Sequence, residues 1–154
     1  MTTVENRLAE LGETVPAVAA PAANYVPWVR TGNLVLTAGQ LPFVNGKLFR
    51  NGLLGRDLDT ETGKQAARYC ALNIIGVLKA ACDGDLTRVV RIVKITVFVA
   101  SVPDFTEQHL VGNGASDLLV AAFGDAGKHA RSAVGMAVLP LNAPVEIEAV
   151  AELS

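Results

Sequence analysis

The sequence is short of aromatic residues (5%), of charge (18%), of cysteine (two) and of histidine (two). Its 13 Lys and Arg are outnumbered by 15 Asp and Glu and are scattered along the chain. Nucleic-acid binders present a basic face and aromatic stacking platforms, so the composition argues against RNA or DNA as the main partner. His109 and His129 have no metal-ligand spacing to each other or to Cys70 and Cys82, and no metal site is expected. The two cysteines fall in one helical stretch, roughly 18 Å apart at the rise of an α-helix. That is beyond disulfide reach, so they read as free buried thiols in a reducing compartment. Ser101, Ser116, Ser132 and Ser154 lack the Gly-x-Ser-x-Gly setting of a nucleophilic serine. Gly112-Asn113-Gly114 lacks the Lys-Ser/Thr follow-on of a phosphate loop and sits inside a helical pattern. No apolar run reaches the ~18–20 residues of a membrane span; the longest is broken by Arg91 and Lys94. The polar start (Thr2, Thr3, Glu5, Asn6, Arg7) does not resemble a secretory signal, so a cytoplasmic protein is expected.

What the chain has in excess is small and branched apolar residues. Hydrophobic side chains make up 51% of its 154 residues, chiefly Ala, Val and Leu in short runs. The mean hydropathy of +0.36 is high for a protein without a membrane segment. Surplus apolar surface of this kind is expected between subunits, and an oligomer of single-domain chains (1–154) is the working expectation.

The pattern along the chain predicts an α+β fold. Residues 2–11 read as a short amphipathic helix, with Thr2 and Glu5 as a capping box and Gly12 as its stop. Residues 13–24 are Ala- and Pro-rich without period, an extended connection that completes an N-terminal extension over 1–24. Tyr25 to Arg30 and Leu34 to Ala38 flank Thr31-Gly32-Asn33 as a hairpin, with Pro27 marking the first strand as an edge. Asn45-Gly46 is a second tight turn, between Phe43-Val44 and Leu48-Phe49. Asp59 caps a long helix from Thr60 to about Cys82, on which Ala66, Cys70, Ile74, Val77, Leu78 and Ala81 recur at helical spacing. Val89 to Val99 is a β-branched strand. Pro103-Asp104-Phe105-Thr106 is read as the start of a helix running to about Phe123. Strands over 131–139 and 145–153 end the chain, giving the order ββ(β)αβαββ with two helices on one face of a mixed sheet.

Chemistry concentrates near the C-terminus. Arg131 lies in an apolar strand, on the same side as His129 and Ala133. Glu146, Glu148 and Glu152 share one face of the last strand, and Val145, Ile147, Ala149 and Ala151 share the other. The two strands are expected to be neighbours, so that arginine and acid face each other. A guanidinium fork grips a carboxylate by two hydrogen bonds, and a carboxylate can orient or deprotonate a water. Spacing alone favours an inter-strand or inter-subunit ion pair over an anion clamp for a small carboxylate, and the solvated face of a strand over a catalytic row of acids. For His129 an ordinary exposed histidine is favoured over a proton carrier. Tyr25 and Trp28 divide evenly between core and cleft.

Several segments taken together resemble the Rid family, also called YjgF, of reactive-intermediate deaminases. They are Gly32-Asn33-Leu34-Val35, Thr37-Ala38-Gly39-Gln40-Leu41-Pro42, Val93-Lys94-Ile95-Thr96-Val97-Phe98-Val99 and Asp104-Phe105. The last two are Ala130-Arg131-Ser132-Ala133-Val134 and Val145-Glu146-Ile147-Glu148-Ala149-Val150-Ala151. They occur in family order from about Tyr25 onward; the N-terminal helix and the insert between Leu48 and Asp59 resemble a divergent branch. The resemblance implies a chorismate-mutase-like fold and a homotrimer with clefts between subunits. It implies cofactor-independent hydrolysis of enamine or imine acids to keto acids and ammonia. In that frame Arg131 matches the arginine that grips the substrate carboxylate, and Glu146 the glutamate that positions water. Tyr25 matches the cleft tyrosine, Gly39 the backbone contact, and Asn113 is the nearest counterpart of the cleft asparagine. His129, beside the clamp, joins the binding set. The sequence departs from the family at Ala38, often serine, at Ala133, commonly cysteine, and at His129, usually proline. Those changes imply a different substrate or weak deaminase activity, and they motivate the alternative of a non-catalytic protein that binds or senses a small carboxylate. Ribonuclease or translation inhibition, also attributed to the family, is the reading the composition disfavours.

Overall fold

The computed structural model describes residues 3–20 and 23–154. Its first helix, α1 (Val4–Glu10), buries Val4 and Leu8. Thr2 lies outside the described residues, and the cap falls on Thr3, whose Oγ1 accepts from the Asn6 N–H at 3.1 Å. The Ala- and Pro-rich stretch that follows is tied to the body by an Arg68–Glu13 ion pair at 3.1 Å. It also lies close over the long helix, where the Pro16 carbonyl occupies the space a side chain at Gly76 would need.

Two short strands, β1 (Trp28–Thr31) and β2 (Leu34–Thr37), form the expected hairpin. Asn45 and Gly46, both at positive φ (51° and 80°), turn β3 (Phe43–Val44) into β4 (Lys47–Leu48). The long helix α2 (Thr60–Ala81) begins at Asp59, whose carboxylate accepts from the Thr62 N–H at 2.8 Å. It buries Ala66, Cys70, Ile74, Val77 and Leu78, as their helical spacing predicts. Then come β5 (Val89–Ala100), α3 (Gln108–Phe123), β6 (Ala130–Met136) and β7 (Val145–Leu153). The last helix starts later than expected: Pro103 to Glu107 precede it, and the Gln108 side chain donates to the Phe105 carbonyl at 2.8 Å to bridge the entry.

Two glycines inside α3 explain themselves through packing. A β-carbon at Gly114 would collide with the Lys64 carbonyl, so this glycine lets α2 and α3 approach closely. One at Gly112 would sit 3.1 Å from Arg131 Nη1, so this glycine makes room for the guanidinium.

The main sheet has the order β1-β2-β7-β5-β6, antiparallel except for the parallel β5–β6 pair, and the edge position of β1 accommodates Pro27. This corrects the expectation that β6 and β7 are neighbours: β5 lies between them. Residues 137–144 carry the chain across the end of β5, held by the Ala100 N–H to Pro144 carbonyl bond at 2.9 Å. One face of the sheet, built from Val35, Ile95, Val97, Val99, Val145, Ile147, Ala149 and Ala151, is buried under α2 and α3 in one continuous core. A smaller cluster of Ala100, Leu139 and Ala143, with Leu41 and Phe98 against it, covers one end of the opposite face. The rest of that face leaves Val29, Leu34, Leu36 and Val134 exposed. Both cysteines are buried and free, and among the described residues no helix is long and apolar enough to cross a membrane.

Candidate functional site

Arg131 pairs with Ile95 of β5, and Ile95 pairs with Ala149 of β7, so Arg131 belongs to the helix-covered face. Its strand is the sheet edge, and α3 runs alongside it. Nη1 donates to Asn113 Oδ1 (3.0 Å) and to Ser116 Oγ (3.2 Å), and Nη2 to the His109 carbonyl (3.1 Å). All three acceptors are uncharged, and Arg131 forms no ion pair with any described residue. A guanidinium has five N–H donors; with three engaged, Nε–H and one N–H on Nη2 remain for another acceptor. The inter-strand form of the expected ion pair is therefore absent among the described residues of one chain. In its place stands a half-buried cation, oriented by α3 and unneutralised.

His129 corrects a second expectation. It is partly buried rather than freely exposed, and its ring lies between Ser116 Oγ (2.9 Å from Nε2) and the Gly127 carbonyl (2.6 Å from Nδ1). Asn113 thus bonds Arg131 directly, and His129 reaches it only through Ser116, a residue to which the sequence-based expectation gave no role. The only signal for Ser116 in the sequence is its place three residues after Asn113, one helical turn along the same face.

Glu146 sits elsewhere. It pairs with Phe98, one residue out of phase with the Ile95 and Val97 rows, and so projects from the opposite face to Arg131. Two strand spacings and three residues along the sheet separate their α-carbons by roughly 14 Å. The carboxylate lies against Gly39: a β-carbon there would collide with Glu146 Oε1. Beyond β2 the chain bulges through Ala38 and Gly39, then returns to β7 through a two-way Gln40–Ile147 backbone pair at 2.7 and 3.0 Å. Burial, and then the charge of Glu148, push the Glu146 carboxyl above its ordinary value. Beneath it, burial and the Glu146 charge raise the Cys70 thiol well above the usual range, which keeps it protonated and unreactive.

Tyr25 is exposed in the bend leading into β1, at the sheet edge opposite Arg131. Residues named from the sequence thus fall into two groups on one chain. Arg131, Asn113 and His129 are on the β6–α3 side, and Tyr25, Gly39 and Glu146 are on the β1–β2–β7 side. A hollow of about 460 Å³ in the single chain is lined by residues that include Pro16, Val18, Gln40, Phe43 and Asn73, and by neither Arg131 nor Glu146. Among the described residues no cluster of His, Cys, Asp and Glu forms a metal site.

Comparison with known proteins places this geometry in a family. Residues 5–153 match the family described as "YjgF/chorismate mutase-like, putative endoribonuclease". Protein TCP17 of Trypanosoma cruzi is 49% identical over 152 residues, covering 98% of this chain and 94% of that protein. The Agrobacterium tumefaciens protein Atu1372, described as of unknown function, has a crystal structure that superposes with a TM-score of 0.94. It is 52% identical and covers 98% of this chain and 92% of its own. The 2-iminobutanoate/2-iminopropanoate deaminase of Escherichia coli is 34% identical over 143 residues, covering 92% of this chain and 98% of that enzyme. The chain belongs to the YjgF/chorismate mutase-like family, whose members include imine deaminases.

Proposed function

We propose that this protein hydrolyses small 2-imino acids to 2-keto acids and ammonia, without a cofactor, in clefts between the subunits of a homotrimer. The observation that carries the reading is Arg131: a cation fixed by three neutral acceptors, with two N–H groups left for a carboxylate. The 34% identical E. coli deaminase acts on 2-imino acids, whose carboxylate such a fork fits.

In this mechanism Arg131 binds the substrate carboxylate and Asn113 holds the guanidinium in place. Glu146, pressed against Gly39 and partly desolvated, orients a water and takes its proton as the water oxygen attacks the imine carbon. The C=N electrons move to nitrogen, which takes the water proton back from Glu146 to give the carbinolamine. Glu146 then takes the carbinolamine hydroxyl proton and passes it to the nitrogen as the C–N bond breaks, leaving the carbonyl and ammonia. Tyr25 covers the cleft. Positioning can carry most of the rate for so reactive a substrate.

Because Arg131 and Glu146 occupy opposite faces of one sheet, a single chain holds only two halves of such a site. A second copy must bring its Arg131 edge to the Glu146 face of the first. The exposed Val29, Leu34, Leu36 and Val134 on that uncovered face are the apolar surface an interface would bury. A second reading, a protein that binds or senses a small keto acid without turnover, is favoured by Ala38 and Ala133, which bring no hydroxyl or thiol to the pocket. Ribonuclease activity, which the family description carries, finds little support in a chain of net charge −2 with 5% aromatics.

The test is ammonia release from freshly generated 2-aminoacrylate by the purified protein and by Arg131→Ala. The proposal predicts a loss of roughly 10- to 150-fold, as expected for removing a charged hydrogen bond. Equal rates would remove the clamp. Stabilisation of the wild type by pyruvate without any turnover would leave the binding reading instead.

A further inference from the structure

Ser116 and His129 take no part in the reaction just described, yet they form a directed chain that ends on Arg131. The Gly127 carbonyl, 2.6 Å from His129 Nδ1, can only accept, so Nδ1 carries a proton. In the neutral ring Nε2 is then an acceptor, and 2.9 Å away it takes the Ser116 hydroxyl proton. That fixes the hydroxyl rotor and turns the Ser116 lone pairs toward Arg131 Nη1, which donates at 3.2 Å. Each bond sets the direction of the next: Arg131 to Ser116, Ser116 to His129, His129 to Gly127. Nη1 has a second N–H, and Asn113 Oδ1 takes it, so both hydrogens of that nitrogen are held.

We propose that Ser116 and His129 are positioning residues that lock the Arg131 guanidinium in one orientation and thereby set its affinity for a carboxylate. The carboxylate role rests on the function proposed above; the locking does not. A histidine fixed in the Nδ1–H form makes a neighbouring hydroxyl a one-way acceptor for a cation, whereas a ring free to choose its tautomer would let that hydroxyl turn away. This gives His129 a task other than direct substrate contact, and it accounts for a polar ring in the position just ahead of Ala130-Arg131-Ser132.

The experiment uses nitrogen-15 NMR and pyruvate titration on wild type, Ser116→Ala, His129→Phe and Ser116→Thr. At a pH where the His129 ring carries a single proton, wild type should show that proton on Nδ1 and slow rotation about the Arg131 Nε–Cζ bond. Ser116→Ala and His129→Phe should speed that rotation and weaken pyruvate binding by roughly threefold to tenfold each, the range of one ordinary hydrogen bond. Combining the two should cost no more than the larger single effect, because both act through one chain of bonds. Ser116→Thr, which keeps the hydroxyl, should restore both readouts. A proton on Nε2 instead of Nδ1, or Arg131 rotation unchanged in Ser116→Ala, would overturn the inference. If wild type binds no pyruvate, the carboxylate reading falls, and the tautomer and the Arg131 rotation still decide the locking.

Discussion

Arg131 and Glu146 project from opposite faces of one sheet, with β5 running between their strands. Each is prepared separately. α3 orients the guanidinium through Asn113, Ser116 and the His109 carbonyl, and the bulge after β2 presents Gly39 to the carboxylate. The proposed reaction, which uses both residues, draws them from two chains.

Gly39 is the most sensitive backbone position of the acid half. Its α-carbon lies where any β-carbon would strike Glu146 Oε1, so Gly39→Ala must displace the carboxylate or the bulge. The group it strikes is the far end of a flexible side chain and Gly39 itself is exposed, so we expect little change in stability, together with loss of most imine hydrolysis. Denaturant melts and ammonia release measure the two effects. A variant with wild-type activity would show that the position of Glu146 does not matter.

Gly112→Ala separates stability from binding. Alanine favours a helix over glycine by about 1 kcal/mol, and the group it crowds, Arg131 Nη1 at 3.1 Å, is the far end of a long side chain that needs to yield only a few tenths of an ångström, at the expense of its bonds to Asn113 and Ser116. The variant should be at least as stable as wild type while binding pyruvate several-fold more weakly. Calorimetric titration beside a thermal melt checks both. Unchanged affinity would mean that the guanidinium moves without consequence.

Glu146 also makes a pH-dependent contribution with a definite sign. Burial first, and the Glu148 charge second, raise its carboxyl above the ordinary value. The folded chain then holds that proton more tightly than the unfolded one. Its stabilising contribution is present at low pH and is lost as pH rises through the folded value. Glu146→Gln should accordingly raise the melting temperature near pH 7, and the gain should shrink to nothing below about pH 4. A gain independent of pH would contradict the desolvation of this carboxylate.

The elements that local rules govern were legible in the sequence. Asp59 marked the start of α2 through its cap, Asn45-Gly46 marked a turn through two positive φ angles, and alternation in β7 put Val145, Ile147, Ala149 and Ala151 inside. Pro103-Asp104 carries the look of a helix start, but the chain makes one more turn before Gln108, and the Gln108 side chain donates back across it to the Phe105 carbonyl. The pairing of β6 with β7 could not be read locally. Two adjacent strands joined by a short link suggest a hairpin, whereas residues 137–144 cross the end of β5 and leave β6 parallel to it. For the site, Arg131 and Glu146 stood out as polar residues in apolar strands, and family order supported both. Ser116 did not stand out, since its importance lies in a contact 15 residues away in sequence. The steric demand at Gly39 was equally hidden, because it comes from a side chain on a different strand.

The central claim is that Arg131 of one chain and Glu146 of another act on one substrate, and mixing two defective proteins tests it directly. Arg131→Ala and Glu146→Gln, each strongly impaired alone, are co-expressed and purified together, and imine hydrolysis is measured. In random trimers a site recovers only where an intact Arg131 meets an intact Glu146 from the next subunit, so roughly a quarter of wild-type activity should return. A mixture no more active than its separate components would contradict a site shared between chains.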